Sequence, residues 1–344
     1  MYTGYPFSSI RQHNNGIMGT NALPSSGADY PKNWAQFIDR FHSEDTCRKY
    51  LEDLRWPGGF VCSKCAHQGD PTRLTRGRLM CRRCKFQSSV TAGTIFDKTR
   101  TELRIWFAGI WYVTNQKQGV NALGLQRVLG LGSYETAWTM LHRLRRAMVR
   151  PGREQLHGEI EVDETYLALG DRKSPISPKG RKSNTAQILV AVAVEILQPK
   201  GFGRIRLKRI DKGDQATLEN FVSETIAPRS LVHTDGSAVY LRLKEIGFEH
   251  RHTVHLGSAT PAHESMPGVH RVAALLQRWL LGTHHGAVQP SQLDFYLDEF
   301  VFRFNRRTSA SRGLLFYRLL QQAVATGPVT YGTVVRQSVA VIQG

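Results

Sequence analysis

Acidic residues are scarce in this chain: 28 Asp and Glu stand against 46 Lys and Arg, leaving a formal charge of +18 and an isoelectric point near 10.0. That balance favours a polyanionic partner, nucleic acid first and an anionic membrane surface second. Long apolar runs are missing too. No uncharged stretch approaches the roughly 20 residues that a bilayer span needs, and the opening MYTGYPFSSIRQHNN has neither the basic start nor the apolar centre of a signal peptide. The expectation is a cytoplasmic, nucleoid-associated protein with no membrane partner. Cysteine is sparse as well. Only five are present, four of them in two C-x-x-C pairs, which argues against a disulfide scaffold and suits metal binding in a reducing compartment.

What is present suffices for two or three modules, since 344 residues at 41% hydrophobic can fill more than one core. Residues 1–30 are rich in Gly, Ser, Asn and Pro without a sustained period and read as a disordered tail; Met18 is an alternative start. Residues 31–56 read as a helical lead-in, with Ser43 as an N-cap. A Gly- and Cys-rich module spans 57–92, and a helical one spans 93–150. VRPGR at 149–153 separates these from strand-rich sequence, so an α/β domain is placed at 151–310 and a C-terminal helical segment and tail at 311–344. Within the α/β region EIEVDETY, QILVAVAVEI and GRIRLKRI read as strands. The helix DQATLENFVSETI, the strand SLVHTD, the helix GSAVYLRLKEIG and a strand-like HRHTVH follow, which describes a mixed sheet flanked by helices. The basic loop DRKSPISPKGRKS joins the first two strands.

Cys62 and Cys65 in FVCSKC, with Cys81 and Cys84 in LMCRRC, have the spacing of two knuckles that wrap four thiolates around one structural Zn²⁺. A redox pair is the plainer alternative. His67 is near enough to replace a ligand, but four Cys leave no vacancy, and Cys47, inside a helical run, reads as a packed thiol. Lys64, Arg82, Arg83 and Lys85 beside the knuckles make the module a candidate phosphate-facing surface. Further on, QGVNALGLQRVLG, a short Gly-containing turn and YETAWTMLHRLRRAM have the plan of a helix-turn-helix, with Ser133 capping the second helix and Arg143, Arg145 and Arg146 as DNA-binding candidates. A plain packing hairpin fits the same description.

GEIEVDETYLA poses the central question, because four carboxylates crowd a run whose Ile160, Val162 and Tyr166 alternate like a strand entering a core. An ionised carboxylate is expensive to bury unless something cationic meets it. If SLVHTD is a strand, Asp235 stands at its carboxyl end, and together with Asp163 it could hold divalent cations, Mg²⁺ first and Mn²⁺ as a substitute. Two such ions activate a water or 3′-hydroxyl and stabilise the leaving oxygen of a phosphodiester. His270, at the head of the helix GVHRVAALLQRWLLGTHHG, is the candidate third ligand. The plainer reading makes these a surface acid, a turn Asp and a helix-start His. Asp294, Asp298 and Glu299 read as solvated helix acids on the back of a Phe295, Phe300, Phe302 and Phe304 stripe, with Glu299 a reserve candidate for the site. His284 and His285 are expected to satisfy the end of their helix or contact DNA, and Arg303, Arg306 and Arg307 to touch DNA backbone or solvent.

RWPGGFVCSKC, SSVTAGTIFDKTRTELRIWF, LGLGSYETAWTMLHRLRRAM, EVDETYL, HTDGSAVY, HRVAALLQRWLLGTHHG and YLDEFVFRFNRR, in this order over roughly residues 30–325, resemble the transposases of insertion-sequence family fifteen-ninety-five, the ISXO-two-like group. The resemblance implies a zinc ribbon and helix-turn-helix followed by an RNase H-like domain of the DDE superfamily, whose third acidic position can be His or Asn. It places Asp163, Asp235 and His270 at the three metal positions. It also implies double-stranded DNA partners, the terminal inverted repeats and a target site, a homo-oligomer assembled on them, and two catalytic Mg²⁺ ions. One departure stands out. Where the family carries a Lys seven residues after the third ligand, this chain has Gln277, with Arg278 next to it but about 100° around the helix. The expected function is therefore transposition by hydrolysis and strand transfer. A catalytically impaired DNA-binding relative and a nuclease without strand transfer are the rival readings.

Overall fold

The computed structural model describes residues 23–150, 152–170, 185–253, 265–329 and 332. The first 22 residues of the expected tail, including Met18, and the basic loop at 171–183 lie outside the described residues. Residues 23–30 of that tail form a turn, with Gly27 N–H donating to the Tyr30 carbonyl, and Tyr30 is buried. No helix among the described residues is long and apolar enough to cross a membrane. Two compact units emerge: residues up to Asn115 with Ala310–Pro328, and Gln116–Ser309 with Val329 onward.

The first unit starts with α1 (Trp34–Arg40) and α2 (Glu44–Arg55). The Asn33 side chain accepts from Gln36 N–H to start α1, and Ser43 with Thr46 forms a reciprocal capping box at α2, so the cap read from the sequence forms by local hydrogen bonding. A three-stranded antiparallel sheet follows, β1 (Thr72–Arg73), β2 (Arg78–Met80) and β3 (Gln87–Ser89), and then α3 (Leu103–Asn115). The C-terminal segment returns to this unit as α9 (Arg312–Ala325). Its Phe316 is fully buried, with ring centroids 5.5–5.8 Å from Phe37, Phe41, Phe107 and Trp111. Apolar period alone gave no sign of this long-range closure.

In the second unit α4 (Ala122–Leu129) and α5 (Tyr134–Ala147) form the expected hairpin. Asn121 caps α4, Gly130 at φ 63° ends it, and Ser133 caps α5. The expected boundary at 149–153 is not where the structure divides, because this hairpin packs with the α/β elements. The sheet holds β4 (Glu159–Gly170), β5 (Thr185–Ile196), β6 (Phe202–Ile210), β7 (Leu231–Asp235) and β8 (Glu249–Thr253) in the order β6-β5-β4-β7-β8. The first three strands run antiparallel and β7 and β8 parallel to β4, the RNase H-like arrangement that the resemblance implies. β5 is buried on both faces, which explains its unbroken apolar run. Ala191 and Ala193 face α6 (Gln215–Thr225), while Val190, Val192 and Val194 face α7 (Pro267–His284) and α8 (Leu293–Asn305). GSAVYLRLKEIG forms a 3₁₀ run over Ala238–Lys244 instead of an α-helix.

The hairpin is fixed by a charge pair that the sequence assigned elsewhere. Arg145, read as a DNA contact, is 1% exposed, and its Nε donates to Glu299 Oε2 at 2.8 Å. Glu299, read as a solvated helix acid, is fully buried and also accepts from Arg303 at 2.6 Å, while the Arg145 guanidinium lies 4.0 Å from the Tyr296 ring centroid. Both assignments failed for one reason: 154 residues separate the partners, and no local pattern announces the pair. Phe295, Phe300, Phe302 and Phe304 do form the buried stripe. Burial alone would raise the Glu299 carboxyl, but Arg303 and Arg145 outweigh it and hold it at about 2. Its stabilisation is therefore present above the unfolded carboxylate pKa and is lost as pH falls from there through about 2. Glu299→Gln, which leaves Arg145 buried with half its partner gone, is expected to cost about 3–5 kcal/mol in urea unfolding.

Candidate active site and metal centres

The two knuckles are built alike. In each, the first Cys N–H donates to a carbonyl five residues on, Cys62 to His67 and Cys81 to Phe86, and its own carbonyl accepts from the residue four on, Ala66 or Lys85. Ala66 and Lys85 take left-handed φ values of 55° and 60°, the conformation that turns the chain back so that both thiols of a pair face inward. The pairs meet with Sγ separations of 3.6 Å between Cys62 and Cys84 and 3.8 Å between Cys65 and Cys81, and all four sulfurs lie within 4.8 Å of one another. Sulfurs about 2.3 Å from a central Zn²⁺ in a tetrahedron need this spacing. Phe60 and Leu79 close the centre from solvent, and Arg73, bonded to Glu52, ties the sheet to α2. His67 is not part of the cluster, and Cys47 is fully buried in α2 with its thiol pushed up to about 12 by burial, so it packs. Lys64, Arg82, Arg83 and Lys85 are exposed around the centre.

The four carboxylates of β4 have four different fates. Glu159 pairs with Arg251 at the strand start. Glu161, 3% exposed, accepts from Val269 N–H at 2.9 Å and also from Gly268 N–H, so it caps the first turn of α7. A Cβ at Gly268 would stand 2.8 Å from that carboxylate and 2.9 Å from Ile196, which is why the helix start needs glycine to come this close to the sheet. Asp163, half-buried, accepts from Glu164 N–H. Glu164 points to the opposite face, beside the buried Tyr240 hydroxyl, and burial with the nearby charges of Asp163 and Asp235 pushes its carboxyl up to about 7.

Asp235 ends β7, and its Oδ1 accepts from Ser237 N–H at 3.1 Å. β4 and β7 pair in parallel through Ile160↔Val232 and Glu161↔His233, so Asp163 and Asp235, each two residues further on, occupy equivalent positions on the same face. His270 sits in the first turn of α7, the turn that Glu161 caps two residues before Asp163. Among the described residues, however, the four Cys are the only group of three or more possible ligands drawn within 4.8 Å; Asp163, Asp235 and His270 are not gathered to that distance. The strand register brings carboxylates to one sheet edge, and His270 stands in the helix turn anchored to the same face.

Gln277 and Arg278 are both exposed on α7. Arg146 is exposed on α5, Arg143 half-buried, and Arg145 sealed in its ion pair. His284 is buried against Trp279 and Tyr296, with ring centroids 4.8 Å from each and its pKa lowered to about 3 by burial, so it neither meets DNA nor stays charged. His285 closes α7 in a left-handed conformation, its N–H donating to the Leu280 carbonyl. Glu161, Glu164 and Tyr240 are site elements that the sequence reading did not single out. Glu161 was visible only as one acid too many on a buried strand face. Glu161→Ala leaves two helix-start N–H groups without an acceptor and is expected to cost about 1–3 kcal/mol in chemical denaturation, with Glu161→Gln recovering most of it.

Residues 42–87 match the transposase zinc-ribbon domain and residues 155–305 the ISXO2-like transposase domain, together more than half of the chain. An uncharacterized protein in transposable element ISH50 of Halobacterium salinarum is 25% identical over 281 residues, 77% of this chain and 92% of that protein. The Mos1 transposase paired-end complex with left transposon end is similar at 12% identity over 69% of this chain and 77% of that one, with a TM-score of 0.20, too loose an overlap to argue from. Matches to both the zinc-ribbon and the transposase domain of one family, in order along the chain, place it among the ISXO2-like transposases of insertion-sequence family fifteen-ninety-five.

Proposed function

We propose that the chain is the DNA transposase of a bacterial-type insertion sequence, which binds the terminal inverted repeats, hydrolyses a phosphodiester at each end and joins the freed 3′-hydroxyls to target DNA. The register that sets Asp163 level with Asp235 on neighbouring parallel strands is the observation that carries the reading. Those carboxylates would hold both Mg²⁺ ions and His270 one of them. Ions bound there would activate the attacking oxygen and stabilise the leaving one. Glu161 holds the start of α7 against β4 and so limits how far His270 can stray. Lys64, Arg82, Arg83 and Lys85 on the ribbon, Arg146 on α5 and Gln277 and Arg278 on α7 are the exposed groups offered to DNA, the cations acting through phosphate and the amide through a hydrogen bond. Two ends handled in one reaction call for at least two copies of the chain on DNA.

A supercoiled plasmid bearing the element's ends should be nicked in Mg²⁺ or Mn²⁺ and left intact in EDTA. Binding of the ends without nicking under either ion would select the second reading, a DNA-binding relative that has lost catalysis. Two observations favour that alternative: Gln277 in place of the family's Lys, and the separation of His270 from the two aspartates.

A further inference from the structure

We propose that the first unit carries a pocket for one unpaired nucleotide of a DNA strand, built around Trp34. Of the six tryptophans only Trp34 is more than half exposed, at 51%. An exposed indole loses the burial that normally stabilises it, so its position asks for a partner. One face of the ring already has one: Phe37 stacks on it with centroids 5.0 Å apart and planes 10° from parallel. With 51% of its surface exposed, the ring has room for a further stacking partner, and a base is a ring of the right size for it. Trp34 lines an open cavity of about 540 Å³ whose wall includes the buried Trp111, its centroid 6.3 Å away and tilted by 42°. That volume lies within the roughly 300–1,000 Å³ of clefts that hold small ligands.

The charge of the lining selects the ligand. Lys32 and Arg312 stand at the cavity and none of its lining residues is acidic. Neither cation is in an ion pair with a described carboxylate, unlike Arg48, Lys49 and Arg73 on α2 and the ribbon, which are all neutralised by acids. Asn115, whose Nδ2 donates to the Trp111 carbonyl, adds an amide to the lining. Aromatic face, two unneutralised cations and an amide are the set that takes a base by stacking and its phosphate by charge, without choosing a sequence. In duplex DNA the faces of a base are already stacked, so the pocket discriminates for strand ends, flaps and melted positions. The pocket shares no residue with the carboxylate site, so nucleotide binding there does not depend on that site cutting DNA.

The full-length protein, a labelled oligothymidylate of about 12 nucleotides, within the site sizes of aromatic single-strand surfaces, and a blunt duplex of the same length make the test. Trp34→Ala should weaken the oligothymidylate about tenfold, the order of one lost stacking contact, and leave the duplex unchanged. Trp34→Phe should recover most of the loss, and Lys32→Gln with Arg312→Gln should flatten the salt dependence on the oligothymidylate. Tryptophan emission should drop on binding in the parent and not in Trp34→Phe. Equal losses on single strand and duplex, no loss on either, or competition by free thymidine monophosphate as effective per nucleotide as the strand would each overturn the proposal.

Discussion

Asp163→Asn should stop Mg²⁺-dependent nicking of end-sequence DNA while leaving affinity for that DNA unchanged. The substitution keeps the size and one oxygen of the side chain but removes the charge that a divalent ion needs, at the position the β4–β7 register sets beside Asp235. Loss of an outer-shell partner already costs metal sites about 10–100-fold, so loss of a direct ligand should exceed that, and Asp235→Asn should behave alike. Raising Mn²⁺ should restore part of the rate in His270→Ala, whose neutral ligand is the more replaceable, and none in Asp163→Asn. The measurement is single-turnover nicking across a metal titration, with duplex binding followed in parallel in EDTA. Undiminished cleavage by Asp163→Asn would remove the catalytic assignment and leave the ribbon and the α4–α5 hairpin as a DNA-binding protein.

Removing zinc should be as severe by another route. The ribbon's strands are two or three residues long, and its buried cluster has only Phe60 and Leu79 beside the cysteines, too little apolar surface to hold the module by itself. Structural Zn²⁺ sites contribute about 10–16 kcal/mol to the folding of such modules. Cys81→Ser, at a fully buried sulfur, should therefore release the metal, unfold residues around 57–92 and abolish end binding. Mass spectrometry of the native protein should show one Zn²⁺ per chain in the parent and in Asp163→Asn, and none in Cys81→Ser. A Cys81→Ser protein that keeps its metal and its melting temperature would show that the four thiols are not the centre. The two predictions separate cleanly, because one variant loses cutting with binding intact and the other loses both.

The features read correctly from the sequence are those whose causes are local. Ser43 and Ser133 cap helices through N–H groups three residues on, C-x-x-C places two thiols on one turn, and the doubly buried β5 shows as an unbroken apolar run. The order of strands and helices was also legible, since a change of hydrophobic period marks each element. Asp235 at the carboxyl end of its strand followed from the same signal.

Pairing across the chain was decided only by the tertiary structure. Whether an arginine faces solvent or a carboxylate depends on what packs against its helix, so Arg145 and Glu299, each ordinary on its own surface pattern, became a buried couple that draws the α4–α5 hairpin into the sheet's unit. Glu161 turned from a spare acid into the cap of α7 because a helix start, 108 residues later, leaves N–H groups that need an acceptor. The sequence by itself determined the ribbon and the order of the elements, through spacing and periodicity. Which charges are buried, which helix each unit claims and how near His270 stands to the carboxylates were left to packing, where the cost of an unpaired buried group selects the partner.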